Sequence, residues 1–169
     1  MLHAYIGDGK GKTTAATGLA VRFSGNGKKV EILQFLKDGT SCENNCLKML
    51  NIKITPYQKS GGFFWTMTEE EKRCLKEETN CGIEYAEKLL SGECDMVVMD
   101  EILGALQNEL VDTEYFVSLL KKYKDKKEIV ITGRVLPDEI LKICDYVSEI
   151  RKIKHPFDRG VGAQKGIEF

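Results

Sequence analysis

Apolar residues gather along this chain in short unbroken runs, separated by longer stretches in which they recur at helical spacing. The runs at 2–6, 29–35 (KVEILQF), 52–57 (IKITPY), 96–101 (MVVMDE), 128–134 (EIVITGR) and 146–153 (YVSEIRKI) read as strands. Two of them, MVVMDE and EIVITGR, lack any polar alternation, which argues for cover on both faces. Between the runs, residues 12–24 predict a helix stopped by Gly25-Asn26-Gly27. The polar stretch LKDGTSCENNC reads as a surface loop leading into a short helix. Thr68 has the place of an N-cap with Glu71 as its capping-box partner. Behind it a long amphipathic helix sets Leu75, Gly82 or Ile83, Ala86, and Leu89 or Leu90 on one face, ending near Ser91-Gly92. Residues 102–113 read as a connecting stretch before a helix over 114–123. Pro137, with Asp138 and Glu139 behind it, opens a short helix to about Cys144. An irregular tail, 154–169, closes the chain.

Strands alternating with helices give an α/β fold: one domain over 1–169, a mostly parallel central sheet, helices on both faces and right-handed crossovers. In such a sheet the ligand lies beyond the carboxyl ends of the strands. The length suits a single core. Charge changes the picture only by exclusion. Lys plus Arg total 25 and Asp plus Glu 26, a balance that does not advertise nucleic acid as a partner. The lysine cluster at 121–127 reads as the wet end of a helix and its turn. No apolar run reaches membrane-spanning length and no leader pattern is present, so a cytoplasmic protein off the membrane is expected. The six cysteines are accordingly expected as reduced thiols. Cys42 and Cys46 could form half of a metal site but have no second pair, and Cys81 and Cys94 are expected to pack at the edges of a helix and a strand.

Candidate chemistry begins at YIGDGKGKTT, residues 5–14, where a strand, a glycine-rich turn and a helix follow one another. That is the order of a phosphate-cradling loop, so the fold is expected to be P-loop NTPase-like. Gly7, Gly9 and Gly11 would let backbone amides converge on anionic oxygens, and the helix starting near Lys12 would aim its first amides at the same point. Lys12 offers a mobile cation and Thr13 a hydroxyl able to hold Mg²⁺. Three residues separate Gly7 from Gly11, one fewer than in the general pattern. Asp8, Lys10 and Thr14 complete the expected ATP-binding stretch.

Asp100 and Glu101 end the kind of strand that stands beside such a loop. They read as holders of Mg²⁺ opposite Thr13, with Glu101 either a ligand or a polariser; helix capping is the bland alternative. The segment Gly61-Gly62-Phe63-Phe64-Trp65 carries three adjacent aromatics that cannot all enter one core. It could stack on a base, line a lid, meet a planar ligand, or pack as a loop. Arg134, at a strand's carboxyl end, suits a phosphate contact or a salt bridge. Arg22 could reach nucleotide or favour the negative end of its helix. The tail, with His155, Asp158, Arg159, Gln164 and Lys165 among glycines, has the composition of a loop wrapped over a site. On these residues alone, an ATPase or a small-molecule phosphotransferase would serve as well as an alkyl transferase.

Together, GDGKGKTTAA (7–16), VEILQFLK (30–37), GGFFW (61–65), MVVMDE (96–101), ITGR (131–134) and KHPFDRGVGAQKGIEF (154–169) closely resemble the P-loop ATP:corrinoid adenosyltransferases, which make adenosylcobalamin. The resemblance implies a homodimeric enzyme whose substrates are ATP and a Co(I) corrinoid, with Mg²⁺ as cofactor and a reductase such as a flavoprotein as a transient partner. It implies attack of cobalt on C5′ of ATP with loss of inorganic triphosphate, the nucleotide lying reversed relative to ordinary P-loop enzymes. Carried over by position, Gly7 to Thr13 would hold the triphosphate and Lys12 would neutralise the charge of the leaving group. Phe63 and Trp65 would pack against the lower corrin face and displace its base. The resemblance departs in two places. Family members often have an arm before the first strand, where this sequence has Met1 to Ala4, and an aromatic near the position of residues 38–42. Both departures bear on closure of the site.

Overall fold

A computed structural model describes residues 1–59, 62 and 64–168. Six parallel strands, β1 (Leu2–Ile6), β2 (Val30–Phe35), β3 (Lys53–Tyr57), β4 (Met96–Asp100), β5 (Glu128–Thr132) and β6 (Tyr146–Glu149), form one sheet. Their order is β3-β2-β4-β5-β1-β6, and each adjacent pair is parallel. The helices are α1 (Lys12–Ser24), α2 (Glu43–Met49), α3 (Glu69–Ser91), α4 (Ile102–Gln107), α5 (Thr113–Tyr123) and α6 (Asp138–Leu141).

The unbroken apolar strands divide their side chains between two cores. Met96 and Val98 of β4 and Val130 of β5 join Ala16 and Ala20 of α1 on one face. Val97, Met99, Ile129 and Ile131 join α3, α4 and α5 on the other. Burial on both faces removes the need for polar alternation. On its way from β1 to β2 the chain crosses β5 and β4, so α1 packs on β1, β4 and β5. This crossover carries the start of α1 to the carboxyl end of β4, two strands from where β1 stops.

α3 begins as its sequence indicates. The Thr68 N–H donates to the Glu71 carboxylate at 2.7 Å and the Glu71 N–H to the Thr68 hydroxyl at 3.3 Å. The first of these bonds holds the Glu71 carboxyl below its ordinary range. Leu75, Gly82, Ile83, Ala86 and Leu90 are buried on one face of the helix.

Three expectations need correction. Residues 102–107 form a helix, α4, with Ile102, Leu103, Ala105 and Leu106 buried. The final strand stops at Glu149 instead of running to residue 153, because beyond that point the chain leaves the sheet edge to brace the glycine loop. Cys81 is exposed on α3, whereas Cys94 is buried as expected. Among the described residues no helix is long and apolar enough to cross a membrane.

Removing the α3 cap should be measurable. Thr68→Ala is expected to cost about 1 kcal/mol, the usual value of a lost N-cap. For a domain of this size that lowers the melting temperature by about 2–4 °C in calorimetry.

Candidate active site

The glycine loop joins β1 to α1 at the carboxyl edge of the sheet and is braced from outside. Gly7 N–H donates to the Arg134 carbonyl at 3.1 Å and Gly9 N–H to the Ile150 carbonyl at 2.8 Å. The Asp8 carboxylate accepts from Lys152 N–H at 3.0 Å, which holds that carboxyl below its usual range. A Cβ on Gly9 would stand 2.7 Å from the Ile150 carbonyl oxygen, and one on Gly7 closer still. These glycines thus admit a neighbouring backbone, and their two amides serve the protein itself. Gly11, at φ 120°, opens α1 without any side-chain cap, leaving the first amides of the helix with no side-chain partner.

The Lys12 ammonium folds back onto the Gly9 carbonyl at 2.9 Å. Beside it, Asp100 is 1% exposed at the end of β4. Three side chains from three elements converge on its carboxylate. Thr13 Oγ1 lies 3.0 and 3.2 Å from the two oxygens, Thr132 Oγ1 2.7 Å from Oδ1, and Lys37 Nζ 2.6 Å from Oδ2. Proton accounting fixes the directions. The Thr132 hydroxyl accepts from Glu101 N–H at 2.9 Å and so donates to Asp100. The Thr13 hydroxyl accepts from Lys37 at 2.9 Å and likewise donates to Asp100.

Glu101 takes a left-handed backbone, φ 61°. Burial pushes its carboxyl up, the neighbouring Asp100 charge adds to this, and Lys37, Lys12 and Arg134 oppose it. Arg134 is itself exposed at the end of β5. The sequence reading missed Lys37. Its one local signal is a lysine just past the carboxyl end of a buried strand, where the backbone of Leu36 (φ 54°) turns off the sheet.

Among the described residues no cluster of three or more His, Cys, Asp or Glu side chains could hold a metal alone. Mg²⁺, however, is commonly held by one or two carboxylates together with substrate phosphates and water. A buried carboxylate sharing a cation with a threonine hydroxyl beside a glycine loop fits that chemistry, so Thr13 and Asp100 suit Mg²⁺, with Glu101 next along the chain.

A cavity of about 870 Å³ opens beside this cluster. Lys10, Thr13, Thr14 and Lys37 border it on one side, Gln58 and Gly62 on another, and Gly166 to Glu168 of the tail on a third. Of the described tail residues only Gly166 to Glu168 reach the cavity; His155, Asp158, Arg159, Gln164 and Lys165 are not part of its lining. Of the aromatic run, Phe64 packs against the core with the Lys72 ammonium 5.4 Å from its ring centre. Trp65 is 76% exposed on a 3₁₀ turn, Phe64–Thr66. Gly61 and Phe63 lie outside the described residues. Arg22 is exposed in the last turn of α1. Ten residues of helix, about 15 Å, separate it from Lys12, and its place suits the negative end of the helix.

The profile of one family, described as ATP:corrinoid adenosyltransferase BtuR/CobO/CobP, matches residues 1–169. The corrinoid adenosyltransferase of Escherichia coli strain K12 is 37% identical over 169 residues, covering 98% of this chain and 83% of that protein. Corrinoid adenosyltransferase CobA of Salmonella typhimurium is 36% identical over 170 residues, with the same coverage of 98% and 83%. The corrinoid adenosyltransferase of Pseudomonas aeruginosa is 28% identical, covering all of this chain and 83% of that protein.

The bracing of the loop is open to test by Gly9→Ala. The added methyl must push Ile150 and Arg151 away, a strain of about 1–3 kcal/mol. The variant should melt below wild type in the absence of ligands, and hydrogen exchange should quicken at the backbone amide of position 9.

Proposed function

The chain belongs to the BtuR/CobO/CobP family of ATP:corrinoid adenosyltransferases, and we propose that it transfers the 5′-deoxyadenosyl group of ATP to the cobalt of a Co(I) corrinoid. Inorganic triphosphate is the other product. Membership makes it an enzyme of this type that uses ATP and a corrinoid. The reading of its chemistry rests on one observation: Lys10 of the glycine loop, Thr13 and Lys37 from around Asp100, Gly62 ahead of the aromatics and Gly166 to Glu168 of the tail border a single cavity.

In this reading the triphosphate lies on the first amides of α1, with Lys10 and Lys12 as its cations. Lys12 leaves the Gly9 carbonyl to meet it, exchanging a neutral acceptor for a charged one. As the C5′–O bond breaks, charge builds on the departing phosphate, and Lys12 neutralises it where it appears. Mg²⁺ at Thr13 and Asp100, with Glu101 alongside, would supply further neutralisation of that leaving group. The cobalt–C5′ bond forms as the C5′–O bond breaks and no proton moves, so the chain needs no general base. Gly166 to Glu168 exclude water from the cavity, and Arg134, exposed past the end of β5, contacts a phosphate.

Phe63 and Trp65 pack against the lower face of the corrin and replace its base, leaving cobalt four-coordinate and easier to reduce. The chain acts as a homodimer and receives its electron from a reductase such as a flavoprotein. The protein contributes orientation and removal of an axial donor, while the nucleophile belongs to the substrate.

A P-loop ATPase or phosphotransferase would use the same Asp100 cluster, so the products decide. Anaerobic incubation with ATP, Mg²⁺ and chemically generated Co(I) corrinoid should give adenosylated corrinoid and intact triphosphate in equal amounts. Formation of ADP, or corrinoid binding without turnover, would overturn the proposal.

Lys12→Ala should lower kcat by roughly 10²–10³, the usual cost of losing one charge-stabilising donor. Unchanged steady-state kinetics would refute the role of Lys12. Trp65→Ala should impair reduction of bound Co(II) corrinoid far more than reaction of pre-reduced Co(I); equal losses would contradict the division of labour.

A further inference from the structure

Lys37 holds the position that the proposed metal site requires. Its ammonium contacts Thr13 Oγ1 at 2.9 Å and Asp100 Oδ2 at 2.6 Å, two of the atoms suited to Mg²⁺. Asp100 is 1% exposed and its lysine partner about a quarter exposed, so the ammonium covers the carboxylate from the cavity side. A buried carboxylate without a counter-charge is costly, and Lys37 meets that need when no other cation is present. A lysine and a divalent ion sharing the same oxygens would repel each other, more strongly beside a buried carboxylate than in bulk water.

The chain is built to present this lysine. Gln34 of β2 stands in register with Asp100 of β4. Leu36, in the left-handed region, then turns Lys37 from the end of its own strand across to the end of the next. Lys37 also borders the cavity shared with Lys10 and Thr14, so its ammonium can swing from Asp100 to an anion there on its own flexible stem.

We propose that Lys37 is a placeholder cation: it neutralises Asp100 in the nucleotide-free protein, yields that seat to the divalent ion, and then binds the polyphosphate that arrives with it. This rests on the adenosyltransferase reading of the site and assigns Lys37 a positioning role in it. The metal site is thereby closed to free Mg²⁺ and opens to Mg²⁺ and polyphosphate together.

The test uses the full chain without nucleotide. Melting temperatures are compared with and without Mg²⁺ for wild type, Lys37→Met and Lys37→Arg. Wild type and Lys37→Arg should not respond to Mg²⁺ alone. Lys37→Met should melt lower in chelator and recover in a saturable way as Mg²⁺ is added. The same Mg²⁺ response in all three would overturn the proposal.

Should Lys37→Met not fold, wild type still decides the matter. The ¹⁵N signal of the Lys37 ammonium, assigned by its loss in Lys37→Arg, should be unmoved by Mg²⁺ alone and shift when inorganic triphosphate is added with it. Constancy under both conditions would overturn the proposal. Either failure is distinct from failure of the functional reading, which would show as absence of adenosylated product from wild type.

Discussion

A carboxylate sealed at the end of a central strand sets the terms for everything around it. Asp100 is all but fully buried at the end of β4, and an unpaired charge there would cost more than most single contacts return. Its partners come from the first helix, the turn after β2 and the end of β5. Satisfying it therefore ties together strands that the chain reaches at widely separated times. The crossover that carries α1 over β5 and β4 is what brings Thr13 within reach. The sheet order and the chemistry of the site are thus one constraint seen from two sides.

How much of this was legible in the sequence depended on the range of the forces involved. Strands buried on both faces announce themselves as apolar runs, and Thr68 with Glu71 marks the start of α3, because both signals are local. α4 was missed for an equally local reason: it is short, contains Gly104 and starts at Glu101 without a side-chain cap. The sequence predicts a longer last strand than β6 because all four residues of β6 are exposed at the sheet edge, where no burial pattern marks an end.

The candidate site divides in the same way. The glycine loop, Thr13 and the two acids were readable because a strand, a loop and a helix impose their spacing. Lys37 was not readable, since its meaning depends on a residue 63 positions later in the chain. Asp8 and the first two loop glycines read as ligand contacts from their place in a motif. Their bonds to Arg134, Ile150 and Lys152 join parts of the chain that no motif contains. Composition alone speaks for the tail, and of its described residues only Gly166 to Glu168 border the cavity.

The brace on the loop has a dynamic consequence. Two of its three bonds, from Ile150 and Lys152, hang just past β6, an edge strand paired along one side only and exposed along its whole length. Sheet margins open more readily than centres. Each brief fraying of that margin would slacken the phosphate cradle while both cores stay closed, so the cradle has its own, lower threshold of order. Its integrity is governed in part by an edge strand, and a molecule with both cores closed could lose its grip on ligand without unfolding at all.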